Sequence, residues 1–143
     1  MAGERPASGT FRSTRVAYEL LVRDHVSAAH NLRRYKGKCE RLHGHNWRID
    51  LRLAGDGLDD EGMLLDFTRA KRILSEVLDD LDHVYLNDVP PFDEINPSSE
   101  NLARVIAERV AQRLPPGVRL ASVTTWESEG CAATYRPEAS PKP

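Results

Sequence analysis

The chain has 143 residues, of which 40% are hydrophobic and 29% charged, and this balance predicts one globular domain with a packed core. Its 20 Lys and Arg residues nearly balance 22 Asp and Glu residues and are interspersed with them, which disfavours a nucleic-acid scaffold. A membrane-spanning helix needs about twenty mainly apolar residues, and charged residues interrupt every apolar stretch long before that length. Composition therefore argues against a membrane-spanning protein and against a nucleic-acid scaffold.

The two ends of the chain differ from its middle. Residues 1–14 and 137–143 are rich in small residues and proline, so burial cannot offset their ordering entropy. We predict flexible tails at both ends and a single domain over residues 15–136. The N-terminal residues contain no apolar stretch typical of a secretory signal, so a cytoplasmic location is expected. The two cysteines, Cys39 and Cys131, are too few for a disulfide framework.

The first half of the domain has the two-residue period of β-strands. Apolar residues alternate from Val16 to Val22, which predicts a strand that continues towards His30. A second strand is predicted from Trp47 to Leu53, where apolar and charged residues alternate. One face of this strand meets a core, and the other carries charge into water or a polar cavity through Arg48, Asp50 and Arg52.

Two helices are predicted next. From Asp66, which is placed to cap the first turn, apolar residues recur every three or four positions as far as Leu81. A second helix is expected to open at Pro97-Ser98-Ser99-Glu100, because serine caps free N–H groups and a first-turn glutamate complements the helix dipole. Pro115-Pro116-Gly117 ends this helix.

Two more strands, at about residues 118–127 and 131–135, are joined by Ser128-Glu129-Gly130, a loop short enough for a hairpin. The order ββααββ predicts an α+β domain with an antiparallel sheet of four strands and two helices on one face. The bare second face and the unpaired sheet edges predict oligomerisation.

A histidine motif is the strongest chemical signal. His43 and His45 are two residues apart at the start of the second strand, so both imidazoles point to one face. His30, at the end of the first strand, supplies a third nitrogen if the two strands pair. Three imidazoles with a vacant fourth position are typical of catalytic zinc, whereas structural zinc is normally closed by four ligands. Cys39 leaves both possibilities open, since it can act as a thiolate or close the metal as fourth ligand.

Two carboxylates extend the candidate chemistry. Asp82 and His83 follow the first helix, where a turn can bring the carboxylate to one imidazole nitrogen and form an acid-base pair. Electrostatics at the helix end is the alternative explanation. Glu127, near the end of the predicted third strand, can hold the N–H pair of a heterocycle, the alternative being a solvated strand end.

Several motifs follow one another along the chain: His30, Cys39-x-x-x-His43-Gly44-His45, Gly62-Met63-Leu64-Leu65-Asp66-Phe67, Leu81-Asp82-His83, Leu86-Asn87, Asn96-Pro97-Ser98-Ser99-Glu100-Asn101-Leu102 and Trp126-Glu127-Ser128. In combination they resemble the 6-pyruvoyltetrahydropterin synthase family over about residues 15–136. The spacing between Cys39 and His43 is similar to that of the bacterial 6-carboxytetrahydropterin synthase branch, which serves queuosine and other 7-deazaguanine pathways. Serine stands at Ser98 and Ser128 where the family usually has threonine.

The resemblance implies a tunnelling fold, in which trimers form β-barrels, two trimers stack into a homohexamer, and active sites lie at subunit interfaces. The residue roles that it implies are Zn²⁺ binding by His30, His43 and His45, proton abstraction by the Cys39 thiolate, a proton relay through Asp82 and His83, and pterin binding by Glu127, Ser98, Ser99 and Glu100.

The implied activity converts 7,8-dihydroneopterin triphosphate to 6-carboxy-5,6,7,8-tetrahydropterin with release of acetaldehyde and triphosphate. Two alternatives stay open. One is a pyruvoyl-type synthase, or a relative acting on sepiapterin or dihydroneopterin; the other is a zinc-stabilised binding module without turnover. A group of basic residues is expected either to attract the triphosphate or to form a solvated loop: Arg33, Arg34, Lys36 and Lys38.

Overall fold

The computed structural model describes residues 17–137. Within them the strands and helices follow in the order β1 (Tyr18–His30), β2 (His43–Gly55), α1 (Phe67–Asp79), β3 (Val84–Tyr85), α2 (Ser99–Ala111), β4 (Arg119–Ser128) and β5 (Cys131–Tyr135). Short 3₁₀ turns lie in two connections, at Lys38–Glu40 and Leu86–Asp88. The predicted N-terminal tail, and the predicted C-terminal tail after its first residue, lie outside the described residues.

The sheet confirms the predicted α+β class but has one strand more than expected. Its order is β3-β1-β2-β4-β5, and the pairings of β1 with β2, β2 with β4 and β4 with β5 are antiparallel. The predicted count of four strands is wrong, because β3 runs parallel to β1 at Ala28 and Ala29. Two residues are too few to show a period in the sequence. Hydrogen bonds between Ser27 and the turn before β3 hold this strand in place.

Both helices begin where their capping residues indicate. Asp66 accepts a hydrogen bond from Thr68 N at 2.7 Å, and Ser98 accepts one from Asn101 N at 3.2 Å. These bonds satisfy N–H groups that have no partner within the helix. α1 packs on β1, and α2 packs on β4 and β5. No helix within residues 17–137 combines the length and the apolar character that crossing a membrane requires.

The two faces of the central strand β2 differ as predicted, with one exception. The residues that face the helices are fully buried, namely Trp47, Ile49, Leu51 and Leu53. On the other face Asp50 is only 4% exposed, because Arg23 Nε lies 2.5 Å from its Oδ1 and Trp126 Nε1 donates to its Oδ2 at 3.0 Å. Although burial raises the pKa of a carboxyl, the hydrogen bonds from Arg23 and Trp126 hold the pKa of Asp50 below its usual value.

Candidate active site and metal centre

The register of β1 against β2 brings three histidines together. His30 pairs with His43 across the two strands, and Ala28 pairs with His45. Since side chains two residues apart on a strand share a face, the three imidazoles point to the same side of the sheet. Their ligand nitrogens lie within 4.8 Å of one another. We call this group the histidine cluster.

Two backbone carbonyls orient the rings of the histidine cluster. His30 Nδ1 lies 2.7 Å from Pro97 O, and His43 Nδ1 lies 2.6 Å from Arg41 O. Because a carbonyl oxygen only accepts hydrogen bonds, each neutral ring carries its proton on Nδ1 and presents a lone pair on Nε2. The two Nε2 atoms are 3.0 Å apart. Tetrahedral zinc, with Zn–N bonds of about 2.0–2.1 Å, places its nitrogens roughly 3.3 Å apart, which is close to the spacing of this pair. Three imidazoles are also a ligand set that zinc favours.

Burial favours the neutral form of two cluster histidines, His30 and His45. His30 is 1% exposed, and the Trp47 ring lies edge-on to it, with 4.8 Å between centroids. Trp47 also lies 4.9 Å from the His45 ring. Burial lowers the pKa of His30 and that of His45, because desolvation disfavours a charged ring. A neutral imidazole is the form that binds a metal.

Glu127 lies beside the histidine cluster, and this proximity was not predicted from the sequence pattern. Its Oε1 is 3.7 Å from His45 Nε2 and 3.9 Å from His30 Nε2, and the side chain is 33% exposed. The pairing of β4 with β5 shifts between Trp126 and Ser128, which makes Glu127 the extra residue of a β-bulge. The carboxylate thus lies between the cluster and solvent, a suitable position for holding a bound heterocycle.

Cys39 lies near the cluster in sequence but outside it in space. It is half-buried in the 3₁₀ turn Lys38–Glu40, and its carbonyl accepts a hydrogen bond from Leu32 N at 2.8 Å. Among residues 17–137, the group with metal-ligand spacing consists of the three histidines and does not include Cys39. This geometry favours an open metal centre over one that Cys39 closes as fourth ligand.

Asp82 and His83 form a pair at the edge of the sheet. Asp82 Oδ2 lies 2.9 Å from His83 Nδ1, and Asp82 Oδ1 accepts a hydrogen bond from Ser27 N at 2.9 Å. The bond from Ser27, the largest influence, and the contact with His83 lower the pKa of Asp82. His83 N donates to Ser27 O at 2.6 Å, and the His83 side chain is 80% exposed. Within residues 17–137, no hydrogen bond joins this pair to Cys39.

The three candidate pterin-binding residues at the start of α2 differ in what they already contact. The Ser98 hydroxyl caps the helix, and Ser99 O accepts a hydrogen bond from Thr125 Oγ1 at 2.8 Å, which ties α2 to β4. Glu100 is exposed in the first turn of the helix. Its carboxylate is therefore accessible to a ligand.

Arg33 differs from the other three residues of the predicted basic group, because its side chain is bound to the protein itself. Its guanidinium donates to three backbone carbonyls, those of Ile95 at 3.1 Å, Asn87 at 3.1 Å and Phe92 at 2.7 Å. Arg34, Lys36 and Lys38 are exposed. Of the four predicted basic residues, these three remain available to attract an anion.

Sequence reasoning assigned no role to Asn87 and Asn96, although both stand in the motifs. Each side-chain amide makes two hydrogen bonds to the backbone of a single residue, Asn87 to Asn31 and Asn96 to Arg33. We call these four hydrogen bonds the amide clamp. Its only signal in the sequence is the asparagines themselves, because the clamp depends on contacts between distant segments.

An open centre of three histidines on an α+β domain is typical of a catalytic metal protein rather than of a structural zinc module. The comparison with protein families defines the class further, since residues 19–138 match the 6-pyruvoyl tetrahydropterin synthase family. The chain belongs to this family, and the resemblance inferred from the motifs is confirmed. Membership places it among the enzymes of pterin metabolism.

Relatives within the family carry different names. A 6-carboxy-5,6,7,8-tetrahydropterin synthase from Synechocystis sp. is 38% identical over 120 residues, covering 80% of this chain and 90% of the relative. A dihydroneopterin monophosphate aldolase from Pyrococcus furiosus is 32% identical over 108 residues, covering 76% and 88%. The solved structure of Caenorhabditis elegans 6-pyruvoyl tetrahydropterin synthase matches with a TM-score of 0.74 and 29% identity, covering 85% of this chain and 96% of that one. The predicted tunnelling fold of the subunit is confirmed.

Proposed function

We propose that this protein is a zinc-dependent 6-carboxy-5,6,7,8-tetrahydropterin synthase, which acts on 7,8-dihydroneopterin triphosphate and releases acetaldehyde and triphosphate. The observation that carries the proposal is the open histidine cluster with the Glu127 carboxylate beside it. The short spacing from Cys39 to His43 and the Synechocystis relative support this branch of the family. In this role the product feeds 7-deazaguanine biosynthesis.

The histidine cluster would hold the zinc. Three histidine nitrogens would leave a coordination position for substrate, as catalytic zinc sites do. Bound zinc supplies Lewis-acid polarisation of the substrate's side-chain oxygens, which makes the adjacent carbon-bound protons more acidic. The carbonyls of Pro97 and Arg41 keep two of the rings in the tautomer that this task needs.

Glu127 would hold the pterin ring. A carboxylate accepts two parallel N–H bonds from the amidine-like edge of the heterocycle, which fixes both its position and its orientation. Because Glu127 lies within 3.9 Å of two cluster nitrogens, a ring held there has its side chain next to the metal position. Ser99 and Glu100 at the start of α2 would complete the ring pocket, with Ser98 supporting it through the helix cap.

Cys39 and the Asp82–His83 pair would move protons. The Cys39 thiolate takes a carbon-bound proton, and His83, held at Nδ1 by Asp82, exchanges protons through Nε2. His83 is 80% exposed at the sheet edge and makes no contact with Cys39 among the described residues. We therefore place the pair at an interface between copies of the chain, as in a dimer of trimers with sites between subunits.

The experiment that tests the proposal compares three zinc-loaded proteins: the wild type, Cys39→Ala, and Cys131→Ala as a matched control. Each is incubated with 7,8-dihydroneopterin triphosphate, the products are identified by mass spectrometry, and the zinc content is measured. We expect 6-carboxytetrahydropterin and acetaldehyde from the wild type and from Cys131→Ala, and no turnover from Cys39→Ala with its zinc retained. Loss of zinc and stability together in Cys39→Ala would instead show that Cys39 closes a structural metal site.

The second candidate is a synthase or aldolase that acts on a related pterin. The names of the Pyrococcus furiosus and Caenorhabditis elegans relatives favour it, because the first is similar in sequence and the second in fold, and the two names describe different reactions. A pyruvoyl product from the triphosphate, or turnover only of dihydroneopterin or its monophosphate, would replace the first proposal with this one.

A further inference from the structure

The segment 31–33 connects the histidine cluster to the Cys39 loop. It follows His30 directly, and its backbone groups point alternately to opposite sides, as in a strand. On one side, Leu32 N donates to Cys39 O at 2.8 Å. On the other side, the backbones of Asn31 and Arg33 meet the amide clamp. The position of Cys39 therefore depends on what holds the far side of this segment.

The amide clamp takes the place of a neighbouring strand. Asn87 Oδ1 accepts from Asn31 N at 3.0 Å, and Asn87 Nδ2 donates to Asn31 O at 2.9 Å. Asn96 repeats the arrangement with Arg33, whose N donates at 2.8 Å and whose O accepts at 3.0 Å. Both ends of each amide are required, because the Oδ1 atom accepts from a backbone N–H and the Nδ2 atom donates to a backbone carbonyl. Asn87 is buried, so an unpaired group there would be costly.

The clamp also joins the elements that carry the other candidate residues. Asn87 lies in the 3₁₀ turn that follows β3, and Asn96 directly precedes Pro97, whose carbonyl orients His30. Asn101 Nδ2 donates to Asn96 O at 2.9 Å, which ties the clamp to α2. The Arg33 guanidinium spans the same region through its three carbonyl bonds. One network thus reaches from α2 to the Cys39 loop.

We propose that Asn87 and Asn96 are positioning residues, which fix the Cys39 loop relative to the histidine cluster. Neither needs to touch substrate or metal, since the clamp acts through Leu32 on Cys39. The catalytic consequence rests on the proposed function, whereas the effect on the loop does not.

The test uses Asn96→Asp in a Cys131→Ser background, so that Cys39 is the only thiol. Aspartate keeps the acceptor for Arg33 N but turns a second oxygen towards Arg33 O, which removes one of the four hydrogen bonds of the clamp and sets two oxygens against each other. We expect iodoacetamide to alkylate Cys39 at least about fivefold faster than in the parent, because the released loop samples open states more often. Gln112→Glu is the matched control, since it makes the same chemical change at an exposed position after α2 and should leave the rate unchanged.

Two further readouts separate positioning from mere stability. Zinc content should match that of the parent, and kcat should fall about 100-fold with KM within about threefold, as expected when a reacting group moves by an ångström. An unchanged alkylation rate in Asn96→Asp would overturn the proposal, whatever happens to its melting temperature. Loss of zinc together with faster alkylation would also contradict it, because the substitution would then have disturbed the histidine cluster and not only the Cys39 loop. Alkylation and zinc content need no substrate, so they still decide the proposal if the enzyme fails to turn over 7,8-dihydroneopterin triphosphate.

Asn87→Asp provides a second variant for the case in which Asn96→Asp does not fold. It alters the two hydrogen bonds of the clamp at Asn31 and should also make the alkylation of Cys39 faster than in the parent. A folded Asn87→Asp protein with the parental alkylation rate would contradict the proposal as directly as Asn96→Asp would.

Discussion

The histidine cluster and the Asp82–His83 pair carry the candidate metal and proton chemistry, and the fold supports them in different ways. The cluster lies on two paired strands inside the sheet, and backbone carbonyls hold two of its rings. The pair lies at the sheet edge, is held to Ser27, and has His83 at a φ of 57° with an 80% exposed side chain. Such a left-handed conformation is uncommon for residues other than glycine, although histidine adopts it more readily than most, and it is often found at functional sites.

The histidine cluster and the Asp82–His83 pair also differ in position along β1. Ser27 precedes His30 by three residues on β1, so the pair is offset from the cluster by roughly 10 Å along the strand. The three cluster nitrogens come from one chain, whereas the His83 imidazole is exposed at the sheet edge. Under the proposed function, the metal centre would belong to a single subunit and the acid-base pair would serve a site shared between subunits.

The largest effect should follow from removing a cluster histidine. His43→Ala leaves two ligands, too few for stable zinc binding, so we expect loss of zinc and at least about a 1,000-fold loss of turnover. Zinc content and product formation are the measurements. His25→Ala, which removes an exposed imidazole elsewhere on β1, is the control and should keep both. Full zinc content in His43→Ala would remove His43 from the ligand set.

A smaller loss should follow from His83→Ala. Removal of a general acid or base costs about 100- to 10,000-fold in rate, and zinc content should stay unchanged because His83 lies outside the cluster.

Co-expression of the His83→Ala chain with a Cys39→Ala chain then tests whether the two residues act in a site shared between subunits. If the two residues come from different subunits, about a quarter of the sites in randomly mixed oligomers are intact, and activity should return to about that level. No recovery in verified mixed oligomers would place both residues in one chain.

The two regions should also respond to acid in different pH ranges. Because the pKa values of His30 and His45 are lowered in the folded state, the unfolded chain takes up protons first as pH falls below about 6.5. The metal-free protein should therefore lose stability from about pH 6.5 until the folded rings protonate. Urea unfolding at pH 7.5 and 5.5 measures this loss, which His45→Gln should reduce.

Asp82 provides the contrasting case. Its lowered pKa stabilises the folded state above the unfolded value of about 3.9, and this contribution disappears as pH falls through the lower folded value. Asp82→Asn should therefore leave the change between pH 7.5 and 5.5 as it is in the wild type. An equal reduction in Asp82→Asn and His45→Gln would show that the two regions are not separate titrating units.

The smallest effect is expected at the start of α2, which brings the Pro97 carbonyl to His30. Ser98→Ala removes the helix cap and should lower the free energy of unfolding by about 1 kcal/mol, whereas Ser98→Thr should restore most of it. Urea unfolding of the three proteins checks this. If Ser98→Ala raises KM for the pterin substrate and leaves stability unchanged, then Ser98 binds substrate and the cap is dispensable.

Local patterns revealed most of the fold but only part of the candidate site. The long strands, both helices and the caps at Asp66 and Ser98 were predictable, because each depends on residues close in sequence. The three-histidine group was predictable as soon as the first two strands were taken to pair. The proximity of Glu127 to the cluster depends on a bulge, and a bulge shows no period. The contacts of Arg33 and the amide clamp join segments more than 50 residues apart, beyond what local spacing shows.

The carbonyl bonds to His30 and His43 also bear on metal selection in the proposed enzyme. They hold two rings in the tautomer that presents Nε2, so the fold itself orients these two ligands. Selection among ions would then follow the general affinity order of nitrogen ligands for divalent metals and the supply at the time of loading. An ion recovered with the purified protein would report the metal supply of the cell that made it as much as the preference of the site.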